Sequence, residues 1–565
     1  MRCVEAPVLV VGAGPVGTTA AILLSGQGIR CRVVDRREGP HRAPQAHALN
    51  PRSLEILRSM GIDTGALRAA GTARADGAHV AWMTTLAGTE LGRLPYERQG
   101  DDALALTPEP FVNLSQHKLE PILVEHLERD ARTDLRWRHE WQGLEQDGAG
   151  VTSRVRDLAR GEDYMVRSRY VLAADGAGSR IRRSLDIEMI GPDRLQSFIM
   201  IHFEANLRPL VRDRPAILYW VVDPECAGAF VAHDIDRTWV FMHRYDPETE
   251  SPDAYTPAAC AAIVRRAIGR ADADLAIRDV SPWTMTAQVA ARFAAGRVFL
   301  VGDSAHRFPP AGGLGLNTGV QDAHNLAWKI GWVEAGRAGG ALLDTYEAER
   351  RPVAQSNAEQ SFMNAMRMLE SFMALGFLDP DVATAGARFA EALATAAGRA
   401  DIRQAIDAQQ DHFDMIGLHL GFGYEEGAIV PDGTPRPAPA NPVRDFVPTS
   451  RPGFRLPHAW VEHGGTRRST LDLLATDGFT LIAGPSGHAW RNAATHLAPA
   501  AVPIRCLVAG RDFADPEGAW ARVCEIGPDG AVLVRPDQHV AWRSLCAPRE
   551  PAADLLAAAR HVLCR

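Results

Sequence analysis

No apolar run in this chain reaches the roughly 20 residues that a membrane helix needs, so a membrane-spanning protein is not expected. No block of Lys and Arg stands out, and 61 basic against 69 acidic residues leave a net charge of only −8. Nucleic acid and anionic membrane surfaces are therefore poor partner candidates. None of the eight cysteines (Cys3, Cys31, Cys226, Cys260, Cys506, Cys524, Cys546, Cys564) belongs to a CxxC pair or a zinc-ligand spacing. That argues against a redox dithiol, and no metal site is expected. The thiols read as reduced, mostly buried apolar residues. No signal-peptide pattern precedes the first strand-like run, Val8 to Val11, which gives the expectation of a cytoplasmic location.

What is present belongs to a large globular protein. At 565 residues the chain is too long for one core, so two to four domains are expected. The opening reads strand, Gly-rich turn, helix to about Gln27, then strand Cys31 to Asp35. An amphipathic helix is predicted from Gln116 to Asp130. Short apolar strands end in Asp175-Gly176 and Gly302-Asp303. Between them the β-rich runs Phe198 to Ala205, Ala216 to Val222, Ala229 to Ala232 and Thr238 to His243 predict an inserted antiparallel meander, a candidate pocket wall. Helical patterns follow Asn317 and Gly340. Eight prolines between Pro431 and Pro457 exclude a helix or central strand there, and predict an extended surface linker before a separate C-terminal domain.

Two motifs carry the chemistry. Gly12-Ala13-Gly14-Pro15-Val16-Gly17 is a GxGxxG turn between strand and helix. Gly12 permits the tight turn, Gly14 lets backbone approach a pyrophosphate, and Gly17 lets helix and strand pack closely. Asp35 ends the second strand, where a carboxylate can accept from a ribose hydroxyl. This motif alone does not separate FAD from NAD. The second, Gly302-Asp303 followed by Pro309-Pro310-Ala311-Gly312-Gly313-Leu314-Gly315-Leu316-Asn317, places a carboxylate for a ribityl hydroxyl and a glycine-rich helix start for a flavin's pyrimidine edge. A mere strand-loop-helix connection would not need so many glycines and prolines.

GxGxxG, Asp175-Gly176, Gly302-Asp303 and the stretch to Lys329 occur in the order seen in class A flavoprotein aromatic hydroxylases. With Tyr346-Glu347-x-x-Arg350-Arg351-Pro352 and Gly530 to Trp542, the chain resembles their phenol, 2-hydroxybiphenyl, dichlorophenol and polyketide hydroxylase branch over nearly its whole length. The resemblance implies an α/β fold. Its parts would be a doubly wound, glutathione-reductase-like FAD domain (1–75, 111–185, 280–360) and an antiparallel β substrate domain (76–110, 186–279). A helical segment (361–430), a Pro-rich linker (431–457) and a thioredoxin-like C-terminal domain (451–565) would follow. Without a CxxC, that last domain would be structural or dimer-forming, so a homodimer is a candidate assembly.

The resemblance also implies roles. Gly12, Gly14, Pro15, Gly17, Asp35, Arg36, Arg42 and Gln116 would hold the adenosine and diphosphate part of FAD. Asp175 would lie near the pyrophosphate and the nicotinamide path, Asp303 at the ribityl chain, and Pro310, Gly313, Gly315, Leu316 and Asn317 at the flavin ring. Gln45 departs from the Arg that many relatives carry in Pro-Arg-Ala-His, which leaves the route of reduction open. His47 resembles the active-site His of the 2-hydroxybiphenyl group. A neutral imidazole can take a phenol's proton and so activate the ring. The plainer alternative is that His47 only packs beside the cofactor. His202, Tyr219, Trp220 and His243 are candidate pocket residues, with ordinary sheet-face packing as the alternative, while His306 and His324 read as structural. The activity implied is hydroxylation of a small aromatic, phenolic or polyketide-type, by O₂ and NADPH or NADH through a flavin C4a-hydroperoxide. A Baeyer–Villiger monooxygenase or epoxidase on the same fold is the alternative, because fold does not separate them.

Overall fold

The computed structural model describes residues 2–374, 382–497 and 502–565. Val8–Val11 and Tyr170–Ala173 are apolar throughout and buried on both faces, as parallel strands between helices must be. They lie at the centre of a six-stranded sheet in the order Ala294–Ala295, Val298–Leu300, Tyr170–Ala173, Val8–Val11, Cys31–Asp35, Thr133–Trp137. All neighbours are parallel except the short first pair. The helix Pro15–Gly26 starts with Pro at its first turn and packs against both Gln116–Glu128 and Leu314–Glu334. Two glycines permit this approach. A Cβ on Gly12 (φ +105°) would sit 2.1 Å from the Ala174 carbonyl oxygen, and one on Gly17 would sit 2.0 Å from that of Gly12.

A seven-stranded sheet stands beside this unit, in the order Ala276–Met285, Gln196–Glu204, Thr238–Tyr245, Gly228–Asp234, Leu218–Val221, His79–Met83, Glu90–Pro95. The four strand runs expected from sequence form its centre, but not as a simple meander: the first, Gln196–Glu204, pairs with the last, Thr238–Tyr245. The sheet is not wholly antiparallel: Leu218–Val221 pairs in parallel with His79–Met83, a strand brought in from far upstream with no hairpin to reverse it. Ile199, Ile201, Phe203, Phe230 and Phe241 point to one face and pack on the helix Pro257–Ile268. The period of two then sends Met200, His202, Val231, His233, Val240 and Met242 to the other face.

The C-terminal unit is a four-stranded sheet, Ile504–Val508, Phe479–Ala483, Ala531–Val534, Val540–Ser544, with helices His488–Leu497 and Pro551–Val562. Its core is continuous with Trp328 and Trp332 of the helix Leu314–Glu334, so it is docked rather than tethered. The proline-rich stretch holds no regular helix or strand, as expected, but only its first part lies on the surface. From Thr449 onward it is buried, because Arg455 pairs with the buried Glu55 and Leu456 enters a core cluster.

Candidate functional site

A cavity of about 1500 Å³ runs from the Gly12–Gly17 turn, past Asp303, to the open face of the seven-stranded sheet. Small-molecule pockets span roughly 300–1,000 Å³, so this volume suits a dinucleotide cofactor together with a second ligand. At one end the helix Pro15–Gly26 points its N-terminus into the cavity, with Gly14 as cap. A Cβ on Gly14 would meet nothing within 4 Å. Unpartnered amides and the positive dipole end make this a place for a diphosphate. Asp35 lines the same end, already engaged: its carboxylate accepts from Ala13 N at 2.7 Å and from Arg37 Nη2 at 3.0 Å. Arg37 in turn reaches Glu120, which accepts from His41 N at 2.8 Å and from Gln116 Nε2 at 2.7 Å. Sequence reasoning singled out Asp35 and Gln116 and missed the Arg37–Glu120 pair that connects them.

Deeper in, Asp303 lines the cavity, where it is exposed, and accepts no hydrogen bond from the described residues. Desolvation by the surrounding walls raises its carboxyl above the ordinary range, against the pull of His306 and Arg307. Asp175 is also raised by burial. Its Oδ2 accepts from Arg180 N and Ile181 N, and its Oδ1 is left buried without a partner. Native proteins rarely leave such atoms unmatched, so a ligand with hydroxyl donors is the physical complement here. The helix Leu314–Glu334 begins at Gly313 (φ +63°), and the amides of its first turn have no intrahelical partner. These features fit FAD, and the fit rests on open backbone and unmatched carboxylates.

The sequence-derived candidates divide by placement. Gly12, Gly14, Pro15, Gly17, Asp35, Arg36, Gln116, Asp175, Asp303, Pro310, Gly313, Gly315 and Leu316 line the cavity, as do Gln45, His47, His202 and Trp220. Arg42 does not: it is exposed, with His41 and Ala43 lining the cavity on either side. Asn317 is buried behind the wall. Its Oδ1 accepts from Asn50 N at 3.0 Å and its Nδ2 donates to Ala48 O at 2.9 Å, tying the helix start to the chain beside His47. Tyr219 falls on the opposite face from Trp220. It is fully buried, accepts from Ala216 N and donates to Arg214 O. His243 has the parity of Phe241 and stacks on it at 6.3 Å, yet it also lines the cavity.

His47 is held by the strand pairing of Ala48–Leu49 with Val112–Asn113 and by Leu114 N donating to its carbonyl at 2.7 Å. Its Nδ1 lies 3.1 Å from Asn113 Oδ1, whose amide nitrogen donates to Gly77 O at 3.2 Å. That second bond fixes the amide orientation, so Nδ1 carries the proton and Nε2 keeps a lone pair. Burial lowers the imidazole to about 4, with Asn113 only partly opposing. His233 packs edge-on against His47 at 5.6 Å and is 3% exposed. Sequence reading passed over His233 and Asn113. The signals were two-residue spacing from Val231, and the position just before Leu114-Ser115-Gln116. His306 is a structural residue, paired with the buried Asp322 at 2.7 Å.

No metal-binding group of three or more His, Cys, Asp or Glu occurs among the described residues. No helix among them is long and apolar enough to cross a membrane.

Comparison with known proteins closes the description. The FAD binding domain family model matches residues 5–361, and the model for the C-terminal part of aromatic-ring hydroxylases matches 449–565. The chain is 36% identical to 2,4-dichlorophenol 6-monooxygenase of Cupriavidus pinatubonensis, over all of this chain and 97% of that protein. It is 33% identical to tetracenomycin A2 monooxygenase-dioxygenase of Streptomyces glaucescens, covering 100% and 98%. Among solved structures it resembles the flavin-dependent monooxygenase PieE in complex with FAD and substrate, with TM-score 0.94, 38% identity and full coverage of both chains. It also resembles aklavinone-11 hydroxylase with FAD and aklavinone, with TM-score 0.84, 32% identity and full coverage of both.

Proposed function

The chain belongs to the FAD-dependent aromatic-ring hydroxylases, and from that premise we propose that its substrate is a polycyclic phenol held against the seven-stranded sheet, with His47 receiving the phenolic proton. It is an FAD monooxygenase, and NAD(P)H is the usual reductant of the family. Its relatives do not favour the Baeyer–Villiger or epoxidase alternative. The cavity volume carries the proposal: about 1500 Å³ exceeds the roughly 300–1,000 Å³ of a single small-molecule pocket and leaves room for a fused-ring ligand beside FAD. The relatives act, by their names, on a chlorinated phenol and on tetracenomycin A2.

Gly14 and the following helix start would hold the diphosphate, Asp35 the adenosine ribose, Asp303 the ribityl chain, and the first-turn amides from Leu314 to Leu316 the pyrimidine edge. A flavin held there would supply the chemistry of accepting hydride from a reduced nicotinamide and delivering an electrophilic oxygen from O₂. The chain's own part is orientation, water exclusion and one proton. Met200, Val231, Val240 and Met242 form a dry wall that keeps water from the reacting ring. His47 Nε2 accepts the phenol's O–H while Nδ1–H stays on Asn113. An imidazole near 4 is too weak a base to ionise a free phenol outright. It need not do so. As oxygen adds to the ring, the phenol oxygen becomes that of a protonated ketone, a strong acid, and its proton passes to His47 in the same event.

The C-terminal unit, with its parallel pair continued by an antiparallel pair, is read here as thioredoxin-like and structural. Cys506, raised by burial to about 11, is a poor nucleophile. The division into an FAD unit, a sheet unit and this C-terminal unit, and a cytoplasmic location, belong to the same reading. Turnover with phenol and 2,4-dichlorophenol against naphthols and hydroxyanthraquinones tests it, reading NAD(P)H oxidation and product with one added oxygen. Coupled turnover is expected only with the fused-ring compounds. Efficient coupling confined to one-ring phenols would overturn the polycyclic reading.

A further inference from the structure

His47 and His233 face the cavity side by side, yet their ring nitrogens are not equivalent. Asn113 takes the Nδ1 proton of His47, so the nitrogen left for a ligand can only accept. His233 shares the cavity face with Val231 and Ala229, two and four residues earlier on its strand. Its Nδ1 is shut off from the cavity, and its ring makes no side-chain hydrogen bond to the described residues, so Nε2 is the nitrogen that can meet a ligand. The two rings meet edge to face at 5.6 Å and 89°. Both are neutral: burial lowers each, and His47, His117, His202 and Lys118 press further on His233. A neutral imidazole offers one N–H and one lone pair. With His47 able only to accept, a donor at this wall has to come from His233, whose neutral ring carries one N–H. Rings this close serve two oxygens on one edge of a ligand, not its opposite ends.

Resting on the reading above that the substrate is a phenol, we propose that His47 and His233 form an acceptor–donor pair that recognises a hydroxyl and a conjugated carbonyl carried on neighbouring positions of one aromatic edge. The His233 N–H holds the carbonyl, which would otherwise take an internal hydrogen bond from the hydroxyl. The freed hydroxyl turns to His47. Conjugation with a carbonyl also makes that hydroxyl more acidic, which matches the weak basicity of a buried His47.

The test is equilibrium titration of the oxidised holoenzyme, followed by flavin absorbance, with 2-acetyl-1-naphthol and 2-isopropyl-1-naphthol. These probes have nearly the same shape and differ in one carbonyl oxygen. The ratio of their dissociation constants should move about 10-fold against the acetyl compound in His233→Phe, the loss of one hydrogen bond to a buried acceptor. His233→Asn, which keeps an N–H donor, should retain most of the wild-type ratio. Each ratio is taken within one protein preparation, so a smaller folded fraction cancels. An unchanged ratio in His233→Phe, or equal loss in both variants, overturns the pairing. Product formation from fused-ring phenols is scored separately. Hydroxylation without the ratio shift sinks the pairing alone, and the ratio shift without hydroxylation sinks the reaction assigned above.

Discussion

The cavity wall and the seam beneath the C-terminal sheet are both buried and rich in polar residues, but their polar atoms meet different fates. In the seam, charges are matched by the protein itself. Arg535 makes a two-pronged contact with Glu349 at 2.8 Å on each prong and also binds Asp537, while Lys329 adds a third cation contact at 2.8 Å. Arg52 and Arg455 both pair with Glu55. Burial alone would raise Glu349, but Arg535 and Lys329 hold it down to about 2. Along the cavity, Asp303, Asp175 Oδ1 and His233 Nδ1 lack such matches. Single unmatched atoms occur in the seam too, at Arg52 Nε, Arg455 Nη1 and Asn325 Oδ1; the cavity differs in that a whole carboxylate, Asp303, lines it and accepts no hydrogen bond from the described residues, which marks where a ligand completes it. The seam holds the architecture; the cavity is left incomplete for its ligands.

The largest effect that would break this comparison belongs to the seam. Arg535→Met leaves Glu349 and Asp537 buried with Lys329 as the nearest remaining cation, and removing one partner of a buried pair costs about 3–5 kcal/mol. Calorimetry should show a large fall in Tm with the C-terminal unit loosened. A shift within error would mean that the seam is not what docks that unit.

Next comes His47. His47→Ala should leave FAD content nearly unchanged and lower hydroxylation about 10²-fold, the lower end for a general base, because the wild-type imidazole is already a weak one. NAD(P)H would still be consumed, with H₂O₂ released in place of product. Wild-type His47 is neutral above pH about 4, so it imposes no loss between pH 5 and 8 and stops accepting only as pH falls through about 4. Raising the pH toward the phenol's own pKa should partly rescue the mutant, since the substrate then arrives ionised. Normal coupling in the mutant, or no rescue, would demote His47 to packing.

Asp303→Ala sharpens the contrast at the cofactor end. Removing the carboxylate should weaken FAD binding by about 1–3 kcal/mol, the cost of leaving ribityl hydroxyls without an acceptor. The apoprotein should be no less stable than wild type, because the carboxylate makes no hydrogen bond to the described residues that the substitution could break. Unchanged FAD affinity in a fluorescence titration would remove Asp303 from the site.

Much of this layout was readable from residues. The cofactor turn, its strands and the helix after Asn317 carry local signals: apolar runs, glycines at positive φ, carboxylates at strand ends. The seam could not be read, because Glu349, Arg535 and Arg455 meet only through contacts some 190 to 400 residues apart in sequence. Arg42 and Asn317 lay beside true cavity residues, and one residue decides whether a side chain on a loop or helix start faces in or out. The parallel strand pair escaped notice because its partner comes from residues 79–83, outside the expected meander. Tyr219 was misplaced because a strand's composition does not fix which alternate set faces the ligand.

That last point yields the smallest predicted effect. Tyr219 and Trp220 are neighbours on one strand, one turned to the helix Pro257–Ile268 and the other to the cavity. Tyr219→Phe removes a hydroxyl that accepts from Ala216 N at 2.8 Å and donates to Arg214 O at 3.2 Å, with no ligand nearby. Stability should fall by about 0.5–1.5 kcal/mol, the net worth of a buried hydrogen bond, read as a small loss in denaturant midpoint at constant slope. KM for the aromatic substrate and the coupling of NAD(P)H oxidation to product should stay at wild-type values. Trp220→Phe, which reshapes the cavity wall, should instead move KM while sparing stability more. If Tyr219→Phe shifted KM and Trp220→Phe did not, the two faces of the seven-stranded sheet would be assigned the wrong way round.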